Sequence, residues 1–125
     1  MSPEAVLEVV DEAMSRPFEW GACDCVSAAC DAFARLWRVD PLAPWRGYAG
    51  RAEALRIIRS LGSFDALAAE MARQAGLTEG HAPGGLALSI GQHRSMLICI
   101  QPGIWAGKTR DGFGITRQAG RGWHL

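Results

Sequence analysis

The chain has 125 residues, 13 basic and 13 acidic side chains, a formal net charge of zero and 49% hydrophobic residues, which supplies one core and is too little for two domains. It contains no run of about 18 apolar residues, and its opening MSPEAVLEVVDEAM is acidic and amphipathic, so neither a membrane span nor a signal peptide is expected. Without a surplus of Lys and Arg, broad binding to nucleic acid is not expected either.

Ser2 as N-cap and Pro3 at the first helical position, followed by Val6, Val9, Val10, Ala13 and Met14, predict an amphipathic helix over residues 3–15 that stops before Pro17. A second helix starts after Asp24, a good N-cap, and carries Val26, Ala29, Cys30, Phe33, Leu36 and Trp37 on one stripe. The irregular PLAPWRGYAG that follows reads as an ordered loop, since Trp45 and Tyr48 give it something to bury. A third helix runs over Arg51–Leu61. Ser63 caps a fourth, with Phe64, Leu67, Ala68, Met71 and Ala75 inward and Gly76 as its C-terminal stop.

Past Gly80 short apolar runs stand between glycine and proline punctuation: Leu86–Ile90, Met96–Ile100, Ile104–Ala106, Phe113–Thr116 and Trp123–Leu125. Turns at Pro102-Gly103 and Asp111-Gly112 join them into a small antiparallel sheet. The expectation is a single α+β domain, helical over residues 1–79 and strand-rich over 80–125, with the helices packed on one face of the sheet.

Three of the four cysteines fall in Cys23, Cys25 and Cys30, and a scaffold of disulfides is not expected in a chain that can build a core. Phe18-Glu19-Trp20-Gly21-Ala22-Cys23-Asp24-Cys25 forms a tight turn into a helix that begins at a cysteine. A thiol there feels the positive end of the macrodipole, which favours the thiolate and makes Cys25 a candidate nucleophile with its own backbone N–H as oxyanion donor. Cys30 lies on the apolar stripe and reads as core; Cys23 is either structural or exposed in the turn. No metal or cofactor is expected, because C-x-C-x4-C lacks a zinc knuckle and Cys30 faces the core. A disulfide between Cys23 and Cys25 would be strained by its one-residue spacer.

The segment PFEWGACDC, the WRGYAG loop, a GG-hydrophobic strand, RDGFGI and the terminal RGWHL resemble a small phage and prophage tail-associated family related to the NlpC-type papain-like cysteine peptidases. Trp20, Gly21, Asp24 and Cys25 match the peptidase pattern, in which the cysteine attacks cell-wall peptides. The resemblance implies a papain-like fold, a place in the virion tail and contacts with tail-tip hub proteins or with peptidoglycan. The sequence departs from the pattern at two positions: Gly84-Gly85 stands where Gly-Asp is expected, and Ser95 or Met96 stands where the histidine base belongs. His93 is the nearest base candidate, placed by alternation on the same strand face as Ser95 and displaced by about 6–7 Å. No third catalytic member is found. His81, in GHAPGG, and His124, by the terminus, read as surface positions.

The resemblance implies two alternative functions. One is a structural component of a tailed-phage or prophage-derived particle at the tail tip, with a degenerate peptidase fold. The alternative is an active cysteine peptidase or amidase, with Cys25 as nucleophile and His93 as base. Trp20, Trp37 and Trp45 are expected to fill space between helices and loop. Trp105 and Trp123, if exposed together near Arg110, Arg117 and Arg121, would form an adhesive surface for a partner.

Overall fold

The computed structural model describes all residues, Met1–Leu125. Four helices precede a six-stranded sheet: α1 (Pro3–Met14), α2 (Cys25–Trp37), α3 (Arg51–Leu61), α4 (Phe64–Ala75), then β1 (Thr78–Glu79), β2 (Leu86–Leu88), β3 (Met96–Gln101), β4 (Ile104–Lys108), β5 (Phe113–Thr116) and β6 (Gly122–His124). The α+β expectation holds. A single turn of 3-10 helix, Ala43–Trp45, lies in the loop between α2 and α3.

The helix signals act where they stand in the sequence. Ser2 Oγ accepts from the Ala5 N–H at 3.1 Å, Ser63 Oγ accepts from the Ala66 N–H at 3.0 Å, and Gly76 ends α4 in the left-handed region at φ 73°. α1 ends at Met14, one residue short of the expected limit, with Ser15 as C-cap. α2 is buried along Val26–Cys30 as well as at Ala32 and Phe33, so its small residues let α1 approach from one side and the sheet from the other. α3 differs from the rest: none of its residues is fully buried, and it packs chiefly on α4.

Every strand pair is antiparallel, in the order β1-β6-β2-β3-β4-β5. The C-terminal strand thus lies inside the sheet, between β1 and β2. The two-residue β1 was not foreseen; it falls before residue 80 and is too short to carry a period. β2 stops two residues before the expected Ile90. There Ser89 turns inward, its N–H donating to the Ser95 carbonyl at 2.9 Å and its Oγ accepting from the Ser95 N–H at 2.7 Å.

Leu86, Leu88, Met96, Ile98, Ile100 and Trp123 face the helices and share their core. On the opposite face Ala87, Leu97, Cys99 and Trp105 form a second buried group with Ala119 against it. The run Met96–Ile100 is apolar at every position for that reason: β3 is covered on both faces. Phe33, fully buried on α2, sits in the larger core. Phe33→Ala is expected to lower unfolding free energy by about 3–5 kcal/mol in a urea titration, whereas Leu7→Ala, on the exposed side of α1, is expected to stay within about 0.5 kcal/mol.

Candidate functional site

The turn before α2 is a closed local structure. Glu19 and Cys23 exchange backbone hydrogen bonds at 3.1 and 2.7 Å, and the Phe18 N–H donates to the Arg110 carbonyl at 2.7 Å, which ties the turn to the β4–β5 connection. Gly21 makes the reversal with φ 84°, and a Cβ there would collide with the Tyr48 carbonyl oxygen. Cys23 takes the structural alternative: it is fully buried, with Sγ 3.5 Å from the Ala13 carbonyl.

Asp24 is buried, and both carboxylate oxygens are fully engaged. Oδ1 accepts from the N–H groups of Val26 at 2.9 Å and Ser27 at 2.8 Å; Oδ2 accepts from the Gly21 N–H at 2.8 Å and from the Tyr48 hydroxyl. Ser27 Oγ in turn accepts from the Asp24 N–H at 2.8 Å, completing a capping box. Burial and the bond to Asp24 push the Tyr48 phenol well above its ordinary value, keeping it protonated as a donor. The loop bearing Tyr48 is held to α2 by Arg46, which reaches Asp31 at 2.7 Å and Asp40 at 2.6 Å.

Cys25 is the first residue of α2 and is half-buried. Its thiol lies raised above the ordinary thiol range, chiefly because burial disfavours the charged form and further because the Asp24 carboxylate is adjacent. Backbone N–H groups of Met96, Cys25 and Val26 pull the other way and do not prevail. The expectation that the helix N-terminus favours a thiolate is therefore corrected: desolvation and the capping carboxylate outweigh the dipole. Cys30 is fully buried, with Sγ 3.9 Å from Met96 Sδ.

Beside the thiol is a cavity of about 190 Å³, with 12 hydrophobic residues among the 14 that line it. Val26, Leu42 and Leu67 are buried at its base; Ala54, Leu55, Ile57 and Ile58 of α3 form one wall; Trp45 and Tyr48 close it from the loop. Trp20, 40% exposed, and Arg94 stand where it opens. Trp20 therefore lines a mouth, edge-on to Phe18 at 4.9 Å, and does not fill interior space. Arg94 is paired with Asp65 at 2.6 Å. Sequence reasoning missed this wall because the spacing of Ala54, Leu55 and Ile58 reads equally well as a core stripe.

The histidines are elsewhere. His93 is exposed in the bend between β2 and β3, outside any strand, and does not line the cavity; its neighbour Arg94 does. Its expected strand placement is corrected, since β3 begins only at Met96. His81 stacks edge-on to Trp105 at 5.4 Å, and His124 packs against Gly80. No three His, Cys, Asp or Glu side chains are grouped to hold a metal ion.

The exposed Trp105–Trp123 surface is also corrected. Both rings are buried, at 8% and 4% exposure, because they project to opposite faces of a sheet covered on both sides. Arg110, Arg117 and Arg121 remain exposed; Arg121 pairs with Glu79 at 2.7 Å and lies 5.0 Å over the Trp123 ring. No helix is long and apolar enough to cross a membrane.

Fold and site together define an α+β domain with a protonated thiol at a helix N-terminus beside an apolar cavity. Residues 2–125 match the family described as Domain of unknown function (DUF6950), and the chain belongs to that family. No curated protein and no solved structure matches it.

Tyr48→Phe is expected to lower stability near pH 7 by about 1.5–3 kcal/mol, the range for a hydrogen bond to a charged group. The raised phenol adds a pH signature: the unfolded chain releases this proton above about pH 10 while the folded chain retains it. Wild-type stability is therefore expected to fall more steeply than that of Tyr48→Phe above pH 10, as read from urea midpoints across pH 8–11.

Proposed function

We propose that this protein is a structural component of a tailed-phage or prophage-derived particle, located at the tail tip, built on a papain-like fold of NlpC type that no longer performs peptidase chemistry. The observation that carries the non-catalytic part is the surroundings of Cys25. The backbone of Met96, the first residue of β3, stands against the thiol, and no histidine lines the cavity. A cysteine peptidase needs a base that takes the thiol proton and hands it to the leaving amine. Here the thiol is held protonated by its burial, and the neighbouring carboxylate is committed to capping α2 and to Tyr48.

The assignment to a particle draws on the resemblance carried by PFEWGACDC, RDGFGI and RGWHL. A cysteine-headed helix packed chiefly against β3, the second strand after the glycine pair, is in keeping with a papain-like arrangement. Contacts with a tail-tip hub would use what remains exposed: the four-residue edge strand β5 with Ile115 outward, and Arg110 and Arg117 near it.

The native Cys25 thiol is expected to react with iodoacetamide more slowly at pH 7–8 than the same thiol in the urea-unfolded chain, and to accelerate only above the ordinary thiol value of about 8.5. Mass spectrometry of the alkylated peptides reads this directly. In purified tail particles the chain is expected at fixed stoichiometry, with assembly and infectivity unchanged by Cys25→Ser. Rapid native alkylation at pH 6, together with muropeptide cleavage that Cys25→Ser abolishes, would return the peptidase reading.

A further inference from the structure

The cavity beside Cys25 has the size and chemistry of a ligand site. Its volume, about 190 Å³, exceeds that of an interior cavity of about 150 Å³ which, lined by Leu, Ile and Phe, stays dry and takes up benzene. A water needs two to four polar partners to be held in such a space, and this wall offers few. Asp24 has two donors on each oxygen and so no acceptor site left; the Tyr48 hydroxyl is spent on it, and Arg94 is held by Asp65 at 2.6 Å. A charged ligand would bury its charge among Leu55, Ile58 and Leu67 without a free counter-ion, and an apolar one gains the whole contact. The mouth, flanked by Trp20, is open to such a group.

We infer that this cavity binds one neutral apolar ring-sized group, of benzene to indole dimensions, seated between the N-terminus of α2 and the inner side of α3. The group is supplied either by a free small molecule or by an aromatic side chain of a polypeptide; the chemistry recognised is the same. The inference goes beyond the tail-tip reading and shares with it only a Cys25 that performs no covalent step. Muropeptide cleavage would end that reading and leave ligand binding to be decided by its own test.

The probe is indole, added to the full chain with methyl-labelled Leu and Ile followed by NMR. Shifts are expected at Leu55, Ile57, Ile58 and Leu67, with Leu88 and Ile98 in the sheet unmoved. Alkylation of Cys25 is expected to slow about tenfold at an indole concentration ten times its dissociation constant. Indole-3-carboxylate is expected to bind more weakly than indole. Ala54→Phe, which places a ring in the cavity from α3, is expected to abolish the shifts; if that variant does not fold, a rise of wild-type Tm with indole concentration serves in its place. N-acetyltryptophanamide distinguishes the sources: binding of both probes assigns a polypeptide side chain, and binding of indole alone a small molecule. Absence of shifts, of protection and of a Tm rise up to the solubility of indole, or tighter binding of the carboxylate, overturns the inference.

Discussion

The Asp24 carboxylate is the constraint around which the rest of the site is arranged. A buried carboxylate is costly unless its oxygens are fully hydrogen-bonded, and this one meets four donors from three parts of the chain: the Gly21 turn, the first turn of α2 and the Tyr48 loop. Each donor is held in place by something else. Gly21 can approach only because it lacks a Cβ; Tyr48 is carried by a loop that Arg46 fastens to Asp31 and Asp40. Removing any one of these would leave a buried charge short of a partner, so the turn, the helix start and the loop are ordered together.

The same carboxylate bears on the thiol beside it, adding to the larger effect of burial. A helix N-terminus ordinarily lowers a thiol's pKa, and here the effect is present in the backbone N–H groups of Cys25 and Val26. Asp24, placed to accept from the N–H groups of Val26 and Ser27, brings its negative charge to the thiol, and the apolar cavity withdraws water from it. Burial, with the capping carboxylate as a smaller contribution, therefore outweighs the backbone N–H groups that favour a thiolate at this helix start.

Helix α3 lies at the edge of the core that organises the other three helices, touching it through Ile57, Ile58 and Leu61. It has no fully buried residue, packs chiefly on α4, and lines the cavity with Ala54, Leu55 and Ile58. Beneath it, Val26, Leu42 and Leu67 belong to the main core. The cavity is thus the seam between a well-packed body and a less committed hairpin. On the far side of the sheet the position is reversed. The 117–121 connection brings Ala119 over Leu97, Cys99 and Trp105, so a face that could have been open to partners is closed by the chain itself.

Three of the four helices were legible from signals within a few residues: Ser2 and Pro3, Asp24, and Ser63 with Gly76 cap α1, α2 and α4 through short-range bonds, whereas α3, which has no side-chain cap, was legible only from its apolar spacing. The apolar strands were legible as runs, and Asp24 as a cap. What could not be read was anything decided by distant parts of the chain. The bend that takes His93 away from the strand depends on Ser89 meeting Ser95. The burial of Trp105 and Trp123 depends on β6 entering the sheet between β1 and β2 and on Ala119 covering the outer face. The cavity exists because α3, α4 and the Trp45–Tyr48 loop surround one space beside the start of α2. The sequence by itself determined the four helices, the longer strands and the capping carboxylate, since those rest on neighbours in the chain. Only the tertiary structure decided which face each side chain meets and how charged its surroundings are, because burial and field are properties of everything that packs around a group.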